Sequence, residues 1–165
     1  MDAIRSSVYV GWSTSDTGLR GLLGEVAVKV LPYATLQDCV VLAIAIAASR
    51  FPWPELVLTS LLARVSQTIV SEPAKGGDSI ILAKVLHETP GAGPLLQNYL
   101  FRDLPEETFN VTHDPQSIVV AFKYISYISP LRAREVLLQR IASSDITERL
   151  DMHGVVSVCE ALDTL

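Results

Sequence analysis

The chain has 165 residues, 49% of them apolar and 19% charged, which is enough apolar surface to close a core and too little charge for a disordered tract. A net charge of −5, with no quarter of the chain net positive, excludes a general basic footprint for nucleic acid. The most apolar run, residues 39–49, is well short of the roughly 20 residues that a membrane-spanning helix needs.

Residues 1–18 include Gly11, Ser13, Thr14, Ser15, Asp16 and Gly18 and show no sustained period. They are expected to form an arm ahead of a single helical-repeat domain over 19–165. The arm lacks the uninterrupted apolar segment of a secretory signal, and Arg5 with its serines gives it only a weak organelle-targeting character. Leu22, Leu23, Val26, Val28 and Val30 predict a helix over 19–31. Pro32 and Tyr33 break it, and Thr35 is a cap for a helix over 36–49. Pro54 suits the first turn of the next, over 54–69. After the loop at 71–77, Asp78 is the expected cap of a helix over 78–88. The Pro90–Pro94 turn leads to a helix over 94–103, followed by an acidic connector at 104–111. Thr112 or Asp114 caps a helix begun by Pro115 and running to Ile128; further helices follow over 130–143 and 150–163.

The pairs Val40-Val41, Ile80-Ile81 and Val119-Val120 would also suit short strands. Segment length, the capping residues at the ends and the absence of an Asn-Gly or Asp-Gly hairpin signal decide for helices, and the chain is read as all-α.

Two ladders run through this pattern. Arg64, Arg102 and Arg140 recur every 38 residues, each inside an apolar stretch: Leu61-Leu62-Ala63-Arg64-Val65, Tyr99-Leu100-Phe101-Arg102 and Leu137-Leu138-Gln139-Arg140-Ile141. Leu22-Leu23-Gly24-Glu25-Val26 resembles them one period upstream, with glutamate in place of arginine. The second ladder begins at Asp38, Asp78, Gln116 and His153, each opening a run of the type Asp38-Cys39-Val40-Val41-Leu42-Ala43. Two helical signatures recurring at one period predict a short α-solenoid of stacked antiparallel helix pairs with a period of about 38 residues. It would comprise an orphan helix, three pairs and a final orphan helix.

The arginines have two readings. Each sits in the second helix of a pair, where it could bond a carboxylate or a backbone carbonyl; alternatively, three stacked guanidiniums could follow a phosphate chain. Asp103, close to Arg102, favours the first. Arg132 and Arg134, with Lys123, Arg140 and Arg149, form the densest basic group, interleaved with Tyr124 and Tyr127. Arg64, Arg102, Arg140, Arg132 and Arg134 are therefore the candidate contacts to RNA or a partner. Trp12, Trp53, Phe51 and Tyr9 stand in arms and connectors, where they either fold back or anchor a partner.

No catalytic constellation is present. His87, His113 and His153 follow no metal spacing, the glycine pairs make no phosphate loop, and no serine sits in a nucleophile elbow. No enzyme activity, cofactor, metal or small-molecule substrate is expected. Cys39 and Cys159 are read as core thiols.

The period and the two signatures, Asp/Gln-x-Val/Ile-Val/Ile-x-Ala and Leu-Leu-x-Arg-Val/Ile, resemble the octotricopeptide and heptatricopeptide repeats of organellar RNA metabolism, including arrays that precede RAP domains. The resemblance covers residues 19–165 and no RAP tail is present. It implies a mitochondrial location and a non-enzymatic subunit of an organellar ribonucleoprotein, the mitochondrial ribosome first, contacting neighbouring proteins and rRNA. The alternative is a protein-only scaffold in a large mitochondrial complex such as a respiratory complex. The final helix, with Val155, Val156, Val158 and Leu162, is expected to face a protein partner.

Overall fold

The computed structural model describes residues 17–49 and 52–163. Among them every regular element is helical and no strand occurs; the β-branched pairs all lie inside helices. The chain divides into two compact units: one runs to Ala74 and takes in Glu88–Ala92, the other comprises Lys75–His87 and Gly93–Leu165. The first helix begins at Thr17, so it takes the last two residues of the expected arm. The rest of that arm, with Tyr9 and Trp12, lies outside the described residues, as does Phe51.

The first unit contains α1 (Thr17–Val30), a 3-10 turn (Leu31–Tyr33), α2 (Leu36–Ala48) and α3 (Glu55–Thr68). Thr35 caps α2 as expected: its hydroxyl accepts from Asp38 N–H while the Asp38 carboxylate accepts from Thr35 N–H at 2.9 Å. That reciprocal box satisfies two donors that a helix start would otherwise leave open. The Thr35 backbone N–H and then its hydroxyl hold the Asp38 carboxyl below the usual carboxylate range. α3 packs on both α1 and α2. Its Val57, Leu61 and Val65, at four-residue intervals, are buried and form one stripe. Burying each such side chain stabilises the fold by about 1.5–3 kcal/mol. Trp53 folds back in this unit, buried, with its Nε1–H donated to the Ser49 hydroxyl at 2.8 Å. Cys39 is fully buried, and that burial pushes its thiol up to about 11.

The second unit holds α4 (Gly76–Leu86), α5 (Gly93–Leu95), a π-helical turn (Leu96–Leu100), α6 (Glu107–Val111), α7 (Pro115–Lys123), a 3-10 turn (Ile125–Tyr127), α8 (Leu131–Ile141), α9 (Ser144–Thr147) and α10 (Met152–Leu162). α7 is its centre: α4, α8 and α10 all pack against it. Ile118, Ala121 and Phe122 are wholly buried there, as are Leu82, Leu96, Phe109 and Leu137 elsewhere in the unit.

Several boundaries differ from expectation. α4 starts at Gly76 with Lys75 as its N-cap, so Asp78 is not the cap but the third residue of the helix. Gly76 and Gly77 read as loop residues, yet both join the helix without positive φ; among the described residues the one glycine with positive φ is Gly91. Asp78 still places its carboxylate in the first turn, where the helix dipole favours it. Of the two candidate caps for α7, Asp114 does the work, accepting from Ser117 N–H at 2.9 Å. α7 stops at Lys123 instead of reaching Ile128, because Tyr124 leaves helical geometry and a 3-10 turn follows. The supposed connector at 104–111 folds as α6, with Phe109 wholly buried. Cys159 is exposed on α10 and is not a core thiol.

The two glycines that open α4 give an internal control. A Cβ at Gly76 would press on the Thr108 hydroxyl beside Pro105, whereas one at Gly77 meets nothing within 4 Å. Gly77→Ala should therefore stabilise the chain by about 0.4–1 kcal/mol through the unfolded state. Gly76→Ala should cost about 1–3 kcal/mol from overpacking, and Thr108→Ala in the same chain should recover most of that. Thermal melts of the three variants check the signs.

Candidate interaction site

The ladder arginines are all the tenth residue from the start of their helical segment: Arg64 from Glu55, Arg102 from Gly93 and Arg140 from Leu131. Two of them do the same job. Arg64 donates from Nε to the carbonyl of Ala34 at 2.6 Å, one residue ahead of the α2 cap. Arg140 donates from Nη2 to the carbonyl of Thr112 at 3.1 Å, two residues ahead of the α7 cap. A guanidinium late in one helix thus holds the chain where it enters the preceding helix. Asp145 also binds Arg140, with an oxygen 3.1 Å from Nη2, and the Arg140 side chain is only 17% exposed.

Arg149 donates to the next carbonyl, that of His113, at 2.9 Å. At the other end of α8, Arg134 donates to the carbonyls of Ile128 and, at 3.0 Å, Ser126. With its late arginine at the start of α7 and its early one beyond the end of α7, α8 runs antiparallel to α7.

Arg102 is different. Its helical segment widens into the π turn and ends at Leu100 with Phe101 as its C-cap, so Arg102 falls beyond the helix and its side chain is 65% exposed. A carboxylate oxygen of Asp103 lies 3.9 Å from its Nε. A π turn holds one more residue than an α turn, so side chains after it point in a different direction from those of an unbroken helix. Phe101 takes the inward place, wholly buried and stacked on Tyr124 with ring centroids 5.0 Å apart. The Arg102 carbonyl accepts from Ser129 N–H at 2.9 Å, which brings it to the turn ahead of α8. Arg132 is exposed and paired with Glu106 at 2.9 Å. Tyr127 is half-exposed and tilted against Tyr124. This surface thus joins exposed arginines and an exposed ring, with a carboxylate answering each of Arg102 and Arg132.

A cleft of about 270 Å³ lies between α7 and α10, lined by Gln116, Lys123, Arg149, His153 and Ser157 among others. The two carboxylates at its rim are committed to the fold. Asp151 caps α10 through Gly154 N–H at 2.7 Å. Asp114 caps α7 and also binds Lys84 of α4 at 2.7 Å. Burial alone would raise the Asp114 carboxyl, but hydrogen bonds from Lys84 and Ser117 outweigh it and hold the group below its ordinary value. The Lys84–Asp114 pair was not legible in the sequence, where nothing links the two positions.

No family model matches this chain, and no curated protein or solved structure matches it.

Large apolar side chains are also exposed. On α10, Met152, Val155, Val156 and Leu162 are exposed, while Val158 is half-buried and Ala161 is buried. On α1, Leu22, Val26 and Val30 are exposed at four-residue intervals. Among the described residues no group of histidine, cysteine and carboxylate side chains could hold a metal ion, and no helix is long and apolar enough to cross a membrane.

The arginine geometry separates the ladder. Arg64→Ala and Arg140→Ala should each cost about 1.5–3 kcal/mol, as expected for a hydrogen bond to a charged group, whereas Arg102→Ala should stay within about 0.5 kcal/mol. Equal losses at all three positions in chemical denaturation would contradict this assignment. The ion pair adds a pH signature. A carboxyl depressed in the fold contributes stability above its unfolded pKa, and that contribution is lost as pH falls through the folded value. Lys84→Met should therefore lower stability at neutral pH by under about 1 kcal/mol after solvent screening, and the difference should fade as pH drops below the ordinary carboxylate range.

Proposed function

We propose that this chain is a non-enzymatic helical-repeat subunit, a short α-solenoid of antiparallel helix pairs, that works inside an organellar ribonucleoprotein by contacting neighbouring proteins. One observation carries the repeat reading: α1, α3, the α5 segment and α8 begin at Thr17, Glu55, Gly93 and Leu131, each 38 residues after the last. Arg64 and Arg140, at the same position of that period, hold the same kind of carbonyl. In the second unit α4, α7 and α10 pack in succession, as the first helices of stacked pairs would. Placement in the mitochondrion, and in the mitochondrial ribosome first, rests on the resemblance of the repeat signatures to the octotricopeptide and heptatricopeptide arrays. The surface around Arg102, Arg132 and Tyr127 would then be the rRNA contact.

A second reading, a protein-only scaffold in a large mitochondrial complex, is favoured by the use of Arg64, Arg140 and Arg134 within the fold. Those side chains are no longer open to phosphate. Affinity isolation of the tagged chain from mitochondria, with and without ribonuclease, tests the two readings. Co-purification of ribosomal RNA and proteins that collapses on digestion is the expected result. Partners that survive digestion unchanged would favour the scaffold, and a chain absent from mitochondria would end both placements.

A further inference from the structure

We propose that the cleft between α7 and α10 binds a small phosphate monoester, its phosphate held by Lys123, Arg149 and Ser157. The inference goes beyond the subunit reading above and does not depend on it. The cleft lies within the second unit. One of its polar groups is buried: Ser157 lines it, is 2% exposed and makes no side-chain hydrogen bond among the described residues. Ser60, Thr68 and Thr112 show the usual alternative, each hydroxyl donating to the carbonyl four residues earlier. A buried hydroxyl without a partner is costly, so one that lines a cleft marks a place for an acceptor from outside.

The charges select an anion. Lys123, on α7, is exposed and pairs with no described carboxylate. Arg149 uses Nη1 for the His113 carbonyl, and a guanidinium has further N–H donors to offer. Gln116 and His153, both exposed, add an amide and an imidazole. The lining carboxylates are already engaged: Asp151 caps α10, and Asp114 caps α7 and answers Lys84. Lys84, Lys123 and Arg149 together outnumber these two acids, and no described histidine, cysteine and carboxylate group could hold a metal ion. An ammonium, a guanidinium and a hydroxyl suit the terminal oxygens of a phosphate monoester better than the two oxygens of a carboxylate. Val119 and Val120 line the same cleft and give the organic group of the ester an apolar wall. At about 270 Å³ the cleft is near the lower end of small-molecule sites, enough for a ring-sized ester and too little for a length of nucleic acid.

Phenyl phosphate, phenol and benzoate are the probes, titrated into the full chain and followed by backbone amide shifts in two-dimensional NMR. Phenyl phosphate should give saturable shifts at Gln116, Lys123, Gly154 and Ser157, with a Kd below about 1 mM. Phenol, which lacks the phosphate, and benzoate, which has a carboxylate instead, should bind more weakly. Ser157→Ala and Lys123→Ala, each folded by circular dichroism, should weaken phenyl phosphate about tenfold, as loss of a charge-assisted hydrogen bond does. Lys29→Ala removes an exposed cation from the first unit and should bind like the parent. No saturable shift, or an equal loss in all three variants, would overturn the proposal. So would Ser157 and Lys123 variants that bind as tightly as the parent. Phenol or benzoate matching phenyl phosphate would overturn the choice of a phosphate. Displacement of phenyl phosphate by an oligoribonucleotide without a terminal phosphate would assign the cleft to a nucleic-acid backbone and overturn the small-molecule reading. None of these readouts involves mitochondrial location or co-purifying RNA, so their failure leaves the subunit reading standing.

Discussion

The fold depends on a guanidinium late in one helix reaching back to a carbonyl at the mouth of the helix before it. Arg64 does this for Ala34 and Arg140 for Thr112. The carbonyls just ahead of a helix lie outside its own hydrogen-bond ladder and need a donor from elsewhere, while the first turn leaves its N–H groups open. A charged donor on a neighbouring helix fixes the turn and the helix-to-helix spacing with one side chain. The capping box at Thr35 and the N-cap at Asp114 then supply acceptors for the N–H groups of the first turn.

That use of charge decides which surfaces are left for partners. Most of the basic side chains that looked available for phosphate hold backbone carbonyls or carboxylates. What remains outward includes apolar side chains on α1 and α10, and a mixed group around Arg102, Arg132 and Tyr127. Solvent does not reward three or four exposed valines and leucines on one helix, so these faces point to protein contact more strongly than to RNA.

The existence of nearly every long helix was legible, because caps and apolar spacing are local signals. Thr35 and Asp114 behaved as their side chains dictate. The exceptions were set by tertiary contacts. Gly76 and Gly77 became helical where packing against Thr108 and Pro105 leaves room for no Cβ at the first of them. The acidic connector folded as α6 because Phe109 found a buried place. Arg102 kept its position in the sequence period but lost its equivalence when the π turn intervened, and no residue type announces such a turn. The resemblance between three arginines was real in composition and holds in geometry for two.

The carbonyl-holding arginines leave an asymmetric record. The acceptor in each is a main-chain oxygen, which every residue possesses, so the bond itself asks for no particular side chain at Ala34 or Thr112. Only the donor is written in the sequence. Such an interaction produces a periodic mark with no matching partner, and methods that look for paired substitutions are blind to it. A protein braced this way can drift far in sequence while keeping its helix-to-helix spacing.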